Sequence, residues 1–409
     1  MLKNTKTVGS IFLVAGTIIG GAVLSLPIIS AGMGFLYTSL LMLVMWFVAT
    51  VSSLIILEVN LSFPHGSSFN TMAYGTLGRV GQIINNFCFL LLLYALTAAY
   101  ISGGAALISS SLKIFFNFTL HNTYAAILFT LTFGSCVYWG THAVDYINRF
   151  FFTFKIIVYT VAVITILPYV HTEHLIIPHD GHKYILAAIP IFLTLFGFQG
   201  SIPSIVNYIG YDVKKLKNIF IIGTIIPLVI YFLWAFTTLS LLPRTGAVSF
   251  ASIVAHSGSS TIGAFLEKIN RLEHNKFLTT TLGLFSDIAV VTSFLGVTIG
   301  LFDFIADTLK RKNNRHHRLQ TALVTFLPPI IFALIYPQGF ILALGYAAIA
   351  LAILALIMPA LMAYVLRKQN RISIYKVAGG NFTLCLFFLI GCIIVLLQLA
   401  SNFNLLPVF

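Results

Sequence analysis

Long apolar stretches dominate this chain of 409 residues. About eleven of them are apolar over the roughly 20 residues that an α-helix needs to cross the hydrocarbon core of a bilayer. Charged residues make up only 8% of the chain, against about a quarter in a typical soluble domain. The pattern predicts an all-α polytopic membrane protein. It excludes an ordinary soluble enzyme, a disordered protein and a disulfide scaffold.

The distribution of basic residues predicts how the chain is oriented. The predicted spans are 8–31, 35–62, 82–110, 123–140, 149–170, 184–211, 218–242, 277–307, 319–336, 339–366 and 377–401. With the N-terminus inside, 16 of the 23 lysines and arginines lie on the inner face and six on the outer face, while Lys155 lies within a span. Because inner loops carry an excess of Lys and Arg, we expect a cytoplasmic N-terminus and a periplasmic C-terminus. The net charge of +13 therefore belongs to loops and does not indicate nucleic acid.

Two of the predicted spans are poorly suited to continuous helix. The first contains the glycines of Gly16–Gly21 followed by Pro27, and the sixth contains Phe-Gly-Phe-Gln-Gly-Ser-Ile-Pro at 196–203. Relative to alanine, glycine destabilises a helix by about 1 kcal/mol and proline by about 3 kcal/mol. Non-helical backbone at membrane depth is tolerated only where it is buried in protein or lines a cavity. Interrupted spans in corresponding positions of two repeats indicate a transporter binding site.

The glycines also fit a second interpretation. Gly16-x-x-x-Gly20 is a spacing typical of close helix packing. The sixth span adds Gln199 and Ser201 at mid-membrane, and Pro203 is suited to the start of a new helix. Together the two clusters favour broken helices. At such breaks, free N–H groups suit a carboxylate and free carbonyls suit an ammonium group or a cation, so the pair predicts a site for an α-amino acid.

Four segments resemble a known family, the bacterial hydroxy/aromatic amino acid permeases of the tyrosine-specific type. The segments are Gly16–Pro27, Tyr94–Gly103, Phe196–Ser204 and Thr292–Asp303. The resemblance covers nearly the whole chain. It implies the five-plus-five inverted-repeat (LeuT-type) fold of the amino acid–polyamine–organocation superfamily, with discontinuous helices 1 and 6. The single transporter domain, 1–409, would comprise a first repeat at 8–170, a second at 184–366 and an extra eleventh helix at 377–401.

The same resemblance implies a function and a set of site residues. It implies proton-driven import of an aromatic L-amino acid, with tyrosine as the expected substrate, across the inner membrane of a bacterium. The substrate backbone would bind at the first break, formed by Thr17, Ile19, Gly20, Gly21 and Ala22. The sixth-span break would share that task and begin the side-chain pocket, through Phe196, Gly197, Gln199, Gly200 and Ser201. The third span would add Tyr94, Thr97 and Tyr100, which are three residues apart and so lie roughly on one face. Gln199 stands where close relatives are expected to carry histidine.

Ionisable residues inside spans are costly and usually functional. Glu58, near the inner surface, is predicted to form a structural salt bridge. Asp303 and Asp307 precede the basic run Lys310–Arg318 and are predicted to pair with it. Asp287 lies nearer mid-membrane. It could meet a tyrosine hydroxyl or an ammonium group, or it could be a hydrogen-bonded structural carboxyl.

The sequence leaves two possible coupling ions, sodium and the proton. In the implied fold, hydroxyls such as those of Thr292 and Ser293 would hold sodium beside the first break. Lys155, on the fifth span, could place its ammonium group at the same point and repel sodium. A lysine that releases and regains a proton in each cycle would then replace the metal, as ionisable relays do in other transporters. Alternatively, the long side chain could snorkel to the membrane surface.

A membrane enzyme and a channel are the competing classes. Tyr211-Asp212, Gly300-Leu-Phe-Asp303 and Pro359-Ala-Leu361 resemble the three motifs of intramembrane aspartyl proteases. In this chain, however, Phe302 replaces a motif glycine. The two aspartates would also ionise at span ends and would not share a proton. No filter sequence indicates a channel, and the cysteines lie in apolar stretches. We therefore predict neither an enzyme nor a cofactor. The expected partners are the amino acid, the proton and membrane lipids.

Overall fold

The computed structural model describes residues 2–139, 141–255, 261–273, 276–309, 315–337, 339–371 and 374–409. In these ranges the chain forms α-helices, short 3₁₀ turns and one π-helical turn, and no strand. The α-helices are, in chain order, α1 (Leu2–Ile18), α2 (Leu26–Ala31), α3 (Gly34–Asn60), α4 (Phe69–Phe116), α5 (Asn122–Trp139), α6 (Thr141–Ile166), α7 (Ile185–Leu195), α8 (Ile202–Ile209), α9 (Val213–Leu241), α10 (Phe250–Ala255), α11 (Thr261–Glu273), α12 (Lys276–Thr308), α13 (Arg315–Ile335), α14 (Phe340–Ala352), α15 (Met358–Lys368) and α16 (Gly380–Asn402).

The helical content agrees with a chain that crosses a membrane many times. Within the described ranges, eight helical segments are long and apolar enough to span a bilayer, or nine if a bent pair near the N-terminus counts as one span. The prediction of an all-α polytopic membrane protein is confirmed. Helices α5 and α6 lie at the positions of the predicted fourth and fifth spans. The count of eleven spans and the inverted repeat stay predictions.

Helix α4 begins earlier than the predicted third span, 82–110. Ser68 precedes it as an N-cap, and the Ser68 hydroxyl accepts a hydrogen bond from the Thr71 N–H at 3.3 Å. The helix then kinks at Gly78, where φ is 67° and ψ is −160°. Glycine adopts this backbone conformation readily because it has no Cβ. The kink therefore separates a short leading helix from the long apolar part.

The interrupted first span is enclosed by four helices. Helix α1 packs along α9, and the 3₁₀ turn Gly21–Ser25 that follows it packs against α12. Helix α12 in turn packs against α4 and α6. Side chains from α4, α6, α9 and α12 can therefore reach backbone atoms of the first span.

A buried ion pair joins α3 to α15. The Arg367 Nε and terminal nitrogen each donate to a different carboxylate oxygen of Glu58 at 2.7 Å. The backbone N–H of Val377 also donates to Glu58, at 2.8 Å. The predicted salt bridge of Glu58 is confirmed, and its two-pronged geometry is the strong form of an arginine–carboxylate pair.

The predicted pairing of Asp303 and Asp307, near the end of α12, involves basic residues that are only partly described. Lys310, Arg311 and Lys312 lie outside the described residues, so their pairing with Asp303 and Asp307 stays a prediction. Arg318 is described. Its Nε donates to the Tyr138 carbonyl at 3.1 Å, and its guanidinium lies 5.2 Å from the centre of the Phe302 ring.

Candidate functional site at two broken helices

The first span is interrupted at the predicted glycines. Helix α1 ends at Ile18, and Gly20 is extended, with φ −115° and ψ −172°. A 3₁₀ turn at Gly21–Ser25 then leads into α2. The segments Lys6–Ile18 and Gly21–Ala31 are bent by 41° relative to each other. The predicted break in this span is confirmed.

The sixth span is interrupted in the same way. Helix α7 ends at Leu195, a 3₁₀ turn covers Gln199–Ser201, and α8 begins at Ile202 with a proline in its first turn. Phe198 between them has φ −143° and ψ 0°, which is outside the helical region. The predicted break here is also confirmed. Both breaks leave backbone N–H and C=O groups without helical partners.

The glycines at the two breaks have different surroundings. A Cβ on Gly21 would lie 2.9 Å from Tyr100 Cε1, and a Cβ on Gly20 would lie 3.0 Å from Ser293 Oγ. By contrast, a Cβ on Gly200 would have no atom within 4 Å, and Gly200 is exposed. The first break therefore needs glycine for close packing, whereas the sixth-span break borders open space at Gly200.

Lys155 reaches the first break from α6. Its Nζ donates to the carbonyl oxygen of Ile19 at 2.6 Å and lies 3.4 Å from Thr292 Oγ1. The side chain is only 2% exposed, so the ammonium group does not snorkel to a membrane surface here. Ser293, next to Thr292, accepts a hydrogen bond from the Gly21 N–H at 2.7 Å. The structure thus brings together the three residues predicted for ion coupling and the backbone of the first break.

Other predicted residues line the same region. The Tyr100 ring lies against Gly21, and its hydroxyl oxygen would lie 3.8 Å from a Cβ on Gly20. Thr17 is exposed, and its hydroxyl donates to its own helix at the Leu13 carbonyl, 2.7 Å away. Ile19 and Ala22 are buried. The first break is therefore closed on the side of Tyr100 and open at Thr17.

The sixth-span break contains a buried amide with an unused donor. Gln199 Oε1 accepts a hydrogen bond from the Phe198 N–H at 2.9 Å, which fixes the orientation of the amide. Its Nε2 is buried and has no hydrogen-bond partner among the described residues. Ser201 Oγ donates to the Phe198 carbonyl at 2.7 Å. Gly197 approaches α14, since a Cβ there would lie 3.2 Å from Leu351 Cδ2.

Three predicted residues form no hydrogen bond with the described backbone of either break. The Tyr94 hydroxyl donates to the Val324 carbonyl on α13 at 2.7 Å. Thr97 is buried, and its hydroxyl donates to the Leu93 carbonyl of its own helix at 2.7 Å. Asp287 forms no hydrogen bond or ion pair with a described residue, although it is half-buried in the first half of α12.

Tyr231 contacts both breaks, and the sequence analysis did not predict it. It lies on α9 and is fully buried. Its hydroxyl oxygen is 2.6 Å from the Ile18 carbonyl oxygen and 3.0 Å from the Leu195 carbonyl oxygen. The Phe196 ring packs edge-on against the Tyr231 ring with centroids 5.5 Å apart. No local signal marks this tyrosine, because α9 is unbroken and the chain has 17 tyrosines.

Comparison with known proteins assigns the chain to a family. Residues 3–398 match the profile of the Tryptophan/tyrosine permease family. The chain belongs to this family. It is 37% identical over 403 residues to the tyrosine-specific transport system 1 of Haemophilus influenzae, covering 98% of each chain. It is 36% identical over 411 residues to a tryptophan-specific transport protein of Pseudomonas aeruginosa, covering 99% of this chain and 97% of the relative.

A third relative of this family member is the low affinity tryptophan permease of Escherichia coli. The two are 32% identical over 415 residues, which cover all of this chain and 98% of the relative. The resemblance predicted from the sequence motifs is confirmed. Permeases are transporters, so the prediction that the chain is not an enzyme is also confirmed, and the protease interpretation is wrong.

A cluster of charged and aromatic residues lies in the loops that flank α2, α7 and α9 of this permease. Asp180 and Arg244 form an ion pair at 2.6 Å, and the guanidinium lowers the pKa of the Asp180 carboxyl below its usual value. The Arg244 guanidinium also lies 5.1 Å from the centre of the Phe409 ring. That ring fills the space beside Gly32, where a Cβ would lie 2.6 Å from Phe409 Cβ. The ends of both broken spans are therefore tied to the segment that follows α16.

Proposed function

We propose that this permease is a proton-coupled secondary transporter that imports aromatic amino acids, above all tyrosine, across the bacterial inner membrane. Its N-terminus would be cytoplasmic and its C-terminus periplasmic, as the basic loops predict. The relatives named as tyrosine- and tryptophan-specific transporters support aromatic substrates. The observation that carries the proposal is the broken first span, whose Ile19 carbonyl accepts a hydrogen bond from buried Lys155.

The two breaks supply the groups that recognise the backbone of an amino acid. We place the substrate carboxylate at the first break, Gly20–Ala22, where it would replace the Ser293 hydroxyl as the acceptor of the Gly21 N–H and where the helix dipole of the following segment favours negative charge. The substrate ammonium would bind carbonyl oxygens where α1 and α7 end, since each carbonyl oxygen has two lone pairs and can accept a second hydrogen bond. The two breaks would then be related by a five-plus-five inverted repeat, 8–170 and 184–366, followed by a further helix at 377–401.

The buried amide of Gln199 supports tyrosine as the preferred substrate. Its Nε2 is a donor without a partner among the described residues. A phenolic oxygen can accept such a hydrogen bond, whereas phenylalanine has no acceptor on its ring and the indole N–H of tryptophan only donates. Leaving a buried donor unsatisfied costs about 1–3 kcal/mol. A ligand that satisfies Gln199 would therefore be favoured over one that does not.

Proton coupling is supported by the position of the Lys155 ammonium. It lies between the Ile19 carbonyl and the Thr292 hydroxyl, which are oxygen ligands of the kind that a hard cation such as sodium takes. A protonated lysine would fill that place and repel sodium. Loss and return of its proton in each cycle would then take the role of metal binding. Sodium coupling is the second candidate, because the same oxygen atoms would bind the metal if Lys155 moved away.

The test is uptake into proteoliposomes of labelled tyrosine, tryptophan, phenylalanine and leucine. A pH gradient, a sodium gradient or neither is imposed in parallel samples. We expect uptake of the aromatic amino acids that rises with the pH gradient and is indifferent to sodium. Thermal unfolding in detergent should shift upward with tyrosine, since a ligand that binds the folded state stabilises it. Uptake that requires sodium would contradict proton coupling, and a thermal shift with leucine but not with tyrosine would contradict the substrate.

A further inference from the structure

The hydroxyl group of Tyr231 lies between the ends of two half-helices. Ile18 is the last residue of α1 and Leu195 is the last residue of α7. Their carbonyl oxygens lie 2.6 Å and 3.0 Å from the Tyr231 hydroxyl oxygen. Tyr231 belongs to neither broken span, because it lies within α9. One side chain therefore contacts the point at which each of the two helices stops.

Such carbonyl groups need partners. The last carbonyls of a helix have no intrahelical donor, and leaving one buried without a hydrogen bond is unfavourable. A tyrosine hydroxyl carries a single proton, so it donates strongly to one carbonyl at a time. The shorter contact, to Ile18, marks the favoured acceptor in this conformation. The Ile18 carbonyl also accepts a hydrogen bond from the Gly20 N–H at 2.7 Å, so Tyr231 is a side-chain donor that the two helix ends share. A displacement of either end changes the hydrogen bond that Tyr231 can offer to the other.

We propose that Tyr231 is a positioning residue that couples the two broken spans, so that the breaks rearrange together. It would do so by passing its hydroxyl hydrogen bond between the Ile18 and Leu195 carbonyls. The Ile18 carbonyl is directly followed in the chain by the Ile19 carbonyl, to which Lys155 donates. Movement of the backbone at Ile19 is therefore transmitted through Tyr231 to the end of α7. The meaning of this link for transport rests on the proposed function, whereas the link itself does not.

The test compares two tyrosine-to-phenylalanine variants. Tyr231→Phe removes the shared donor and keeps the ring that packs on Phe196. Tyr159→Phe is the matched control, because Tyr159 is also buried and its hydroxyl donates to a carbonyl of α9, that of Ile230, at 2.7 Å. Amide hydrogen–deuterium exchange is followed at residues 19–25 and 196–201. We expect about tenfold faster exchange at both breaks in Tyr231→Phe, the change typical of one lost hydrogen bond.

The control and a rescue variant give the remaining outcomes. Tyr159→Phe should leave exchange at both breaks unchanged. Tyr231→p-aminophenylalanine should keep exchange slow at both, since its amine offers one N–H to each carbonyl. If Tyr231→Phe does not fold, this variant is compared with the wild type, and faster exchange at either break would overturn the proposal. Exchange in Tyr231→Phe that rises at only one break, or at neither, would overturn it as well.

A transport measurement adds the functional arm. For Tyr231→Phe we expect the maximal rate of tyrosine uptake to fall by about tenfold, while the dissociation constant for tyrosine changes by less than about threefold. A variant that loses affinity and rate by the same factor would contradict the coupling of the breaks. If the wild-type protein does not transport aromatic amino acids, the proposed function fails. The exchange measurement then still decides whether Tyr231 links the two breaks, because it needs no substrate.

Discussion

The ammonium group of Lys155 donates to the carbonyl oxygen of Ile19 across 2.6 Å, and this contact fixes α6 to the break in the first span. The contact needs both a long side chain on α6 and a carbonyl that no helical N–H occupies. Gly20 supplies the second condition, because its extended backbone ends the helix there. A buried ammonium group without a partner and a buried carbonyl without a donor would each be unfavourable. The hydrogen bond between Lys155 and Ile19 supplies a partner to both.

We expect Lys155→Ala to abolish the response of tyrosine uptake to an imposed pH gradient while exchange at equal pH persists. The substitution removes the ammonium group that donates to the Ile19 carbonyl at the first break. It also leaves the Ile19 carbonyl without this donor, at a stability cost of about 1–3 kcal/mol. Lys215→Ala is the control, since Lys215 forms an exposed ion pair with Asp212 and such pairs contribute little. Uptake by Lys155→Ala that still follows the pH gradient would eliminate Lys155 as the coupling group.

Two glycine substitutions should separate packing from transport. Gly21→Ala places a methyl group 2.9 Å from the Tyr100 ring, and overpacking of this kind costs about 1–3 kcal/mol. We expect a lower unfolding temperature and a smaller rise in that temperature when tyrosine is added. Gly200→Leu extends a side chain into open space, so we expect normal insertion and stability but no uptake. Normal uptake by Gly200→Leu would show that this break does not line the substrate path.

Gln199→Leu should weaken the preference for tyrosine over phenylalanine by about tenfold, the change expected for one hydrogen bond. Leucine is similar in size and has no donor, so phenylalanine uptake should be retained. The measurement is competition of each unlabelled amino acid against labelled tyrosine in proteoliposomes. Ser201→Ala is a suitable comparison, because the Ser201 hydroxyl is already used by the Phe198 carbonyl. A preference that is unchanged in Gln199→Leu would remove this residue from the side-chain pocket.

Arg367→Ala should destabilise the protein by about 3–5 kcal/mol, because it leaves the buried Glu58 carboxylate without its counter-charge. The side chains of Arg367 and Glu58 are 8% and 2% exposed. Thermal unfolding in detergent measures the change, and Lys368→Ala, at an exposed neighbouring position, is the control. Equal unfolding temperatures for the two variants would mean that the pair is dispensable.

Asp180→Asn should lower the unfolding temperature at neutral pH and have no effect in acid. Arg244 holds the pKa of Asp180 below its usual value of 3.8. A carboxyl whose pKa is lowered by folding contributes stability above the unfolded pKa, and that contribution is lost as pH falls through the folded pKa. The difference between the wild type and Asp180→Asn should therefore begin to shrink below about pH 4 and vanish only once the pH is below the folded pKa of Asp180. A difference that persists in acid would have to arise from packing and not from charge.

The sequence predicted the breaks themselves because their cause is local. Glycine and proline act on the backbone at their own positions, so the interruption before Gly21 and the turn before Pro203 could be located without a structure. The contact of Lys155 with the first break could be predicted because both lie at a similar depth in the membrane and the lysine side chain is long. A partner for Glu58 could be predicted because burial of an isolated charge is unfavourable. No local signal indicated that this partner is Arg367, more than 300 positions later.

What the sequence could not supply was the rotation of helices about their own axes. Tyr94, Thr97 and Tyr100 were placed on one face by their spacing of three residues. Over six residues an α-helix turns through one and two-thirds of a revolution, so the two tyrosines point about 120° apart. Tyr100 lies against Gly21, whereas Tyr94 contacts α13. Tyr231 was missed for the same reason, since only tertiary packing decides which of the many tyrosines faces a helix end.

The oxygen atoms that receive Lys155 and Tyr231 belong to the main chain, at Ile18, Ile19 and Leu195. Every amino acid carries that oxygen, so replacing any of these three side chains leaves the acceptor in place. An alanine scan would therefore detect the side chains that donate, Lys155 and Tyr231, but not the carbonyl oxygens that accept. Replacing one peptide bond at a time by an ester places a weaker carbonyl acceptor at the same point, and that chemistry, unlike mutagenesis, can address the receiving half of each contact.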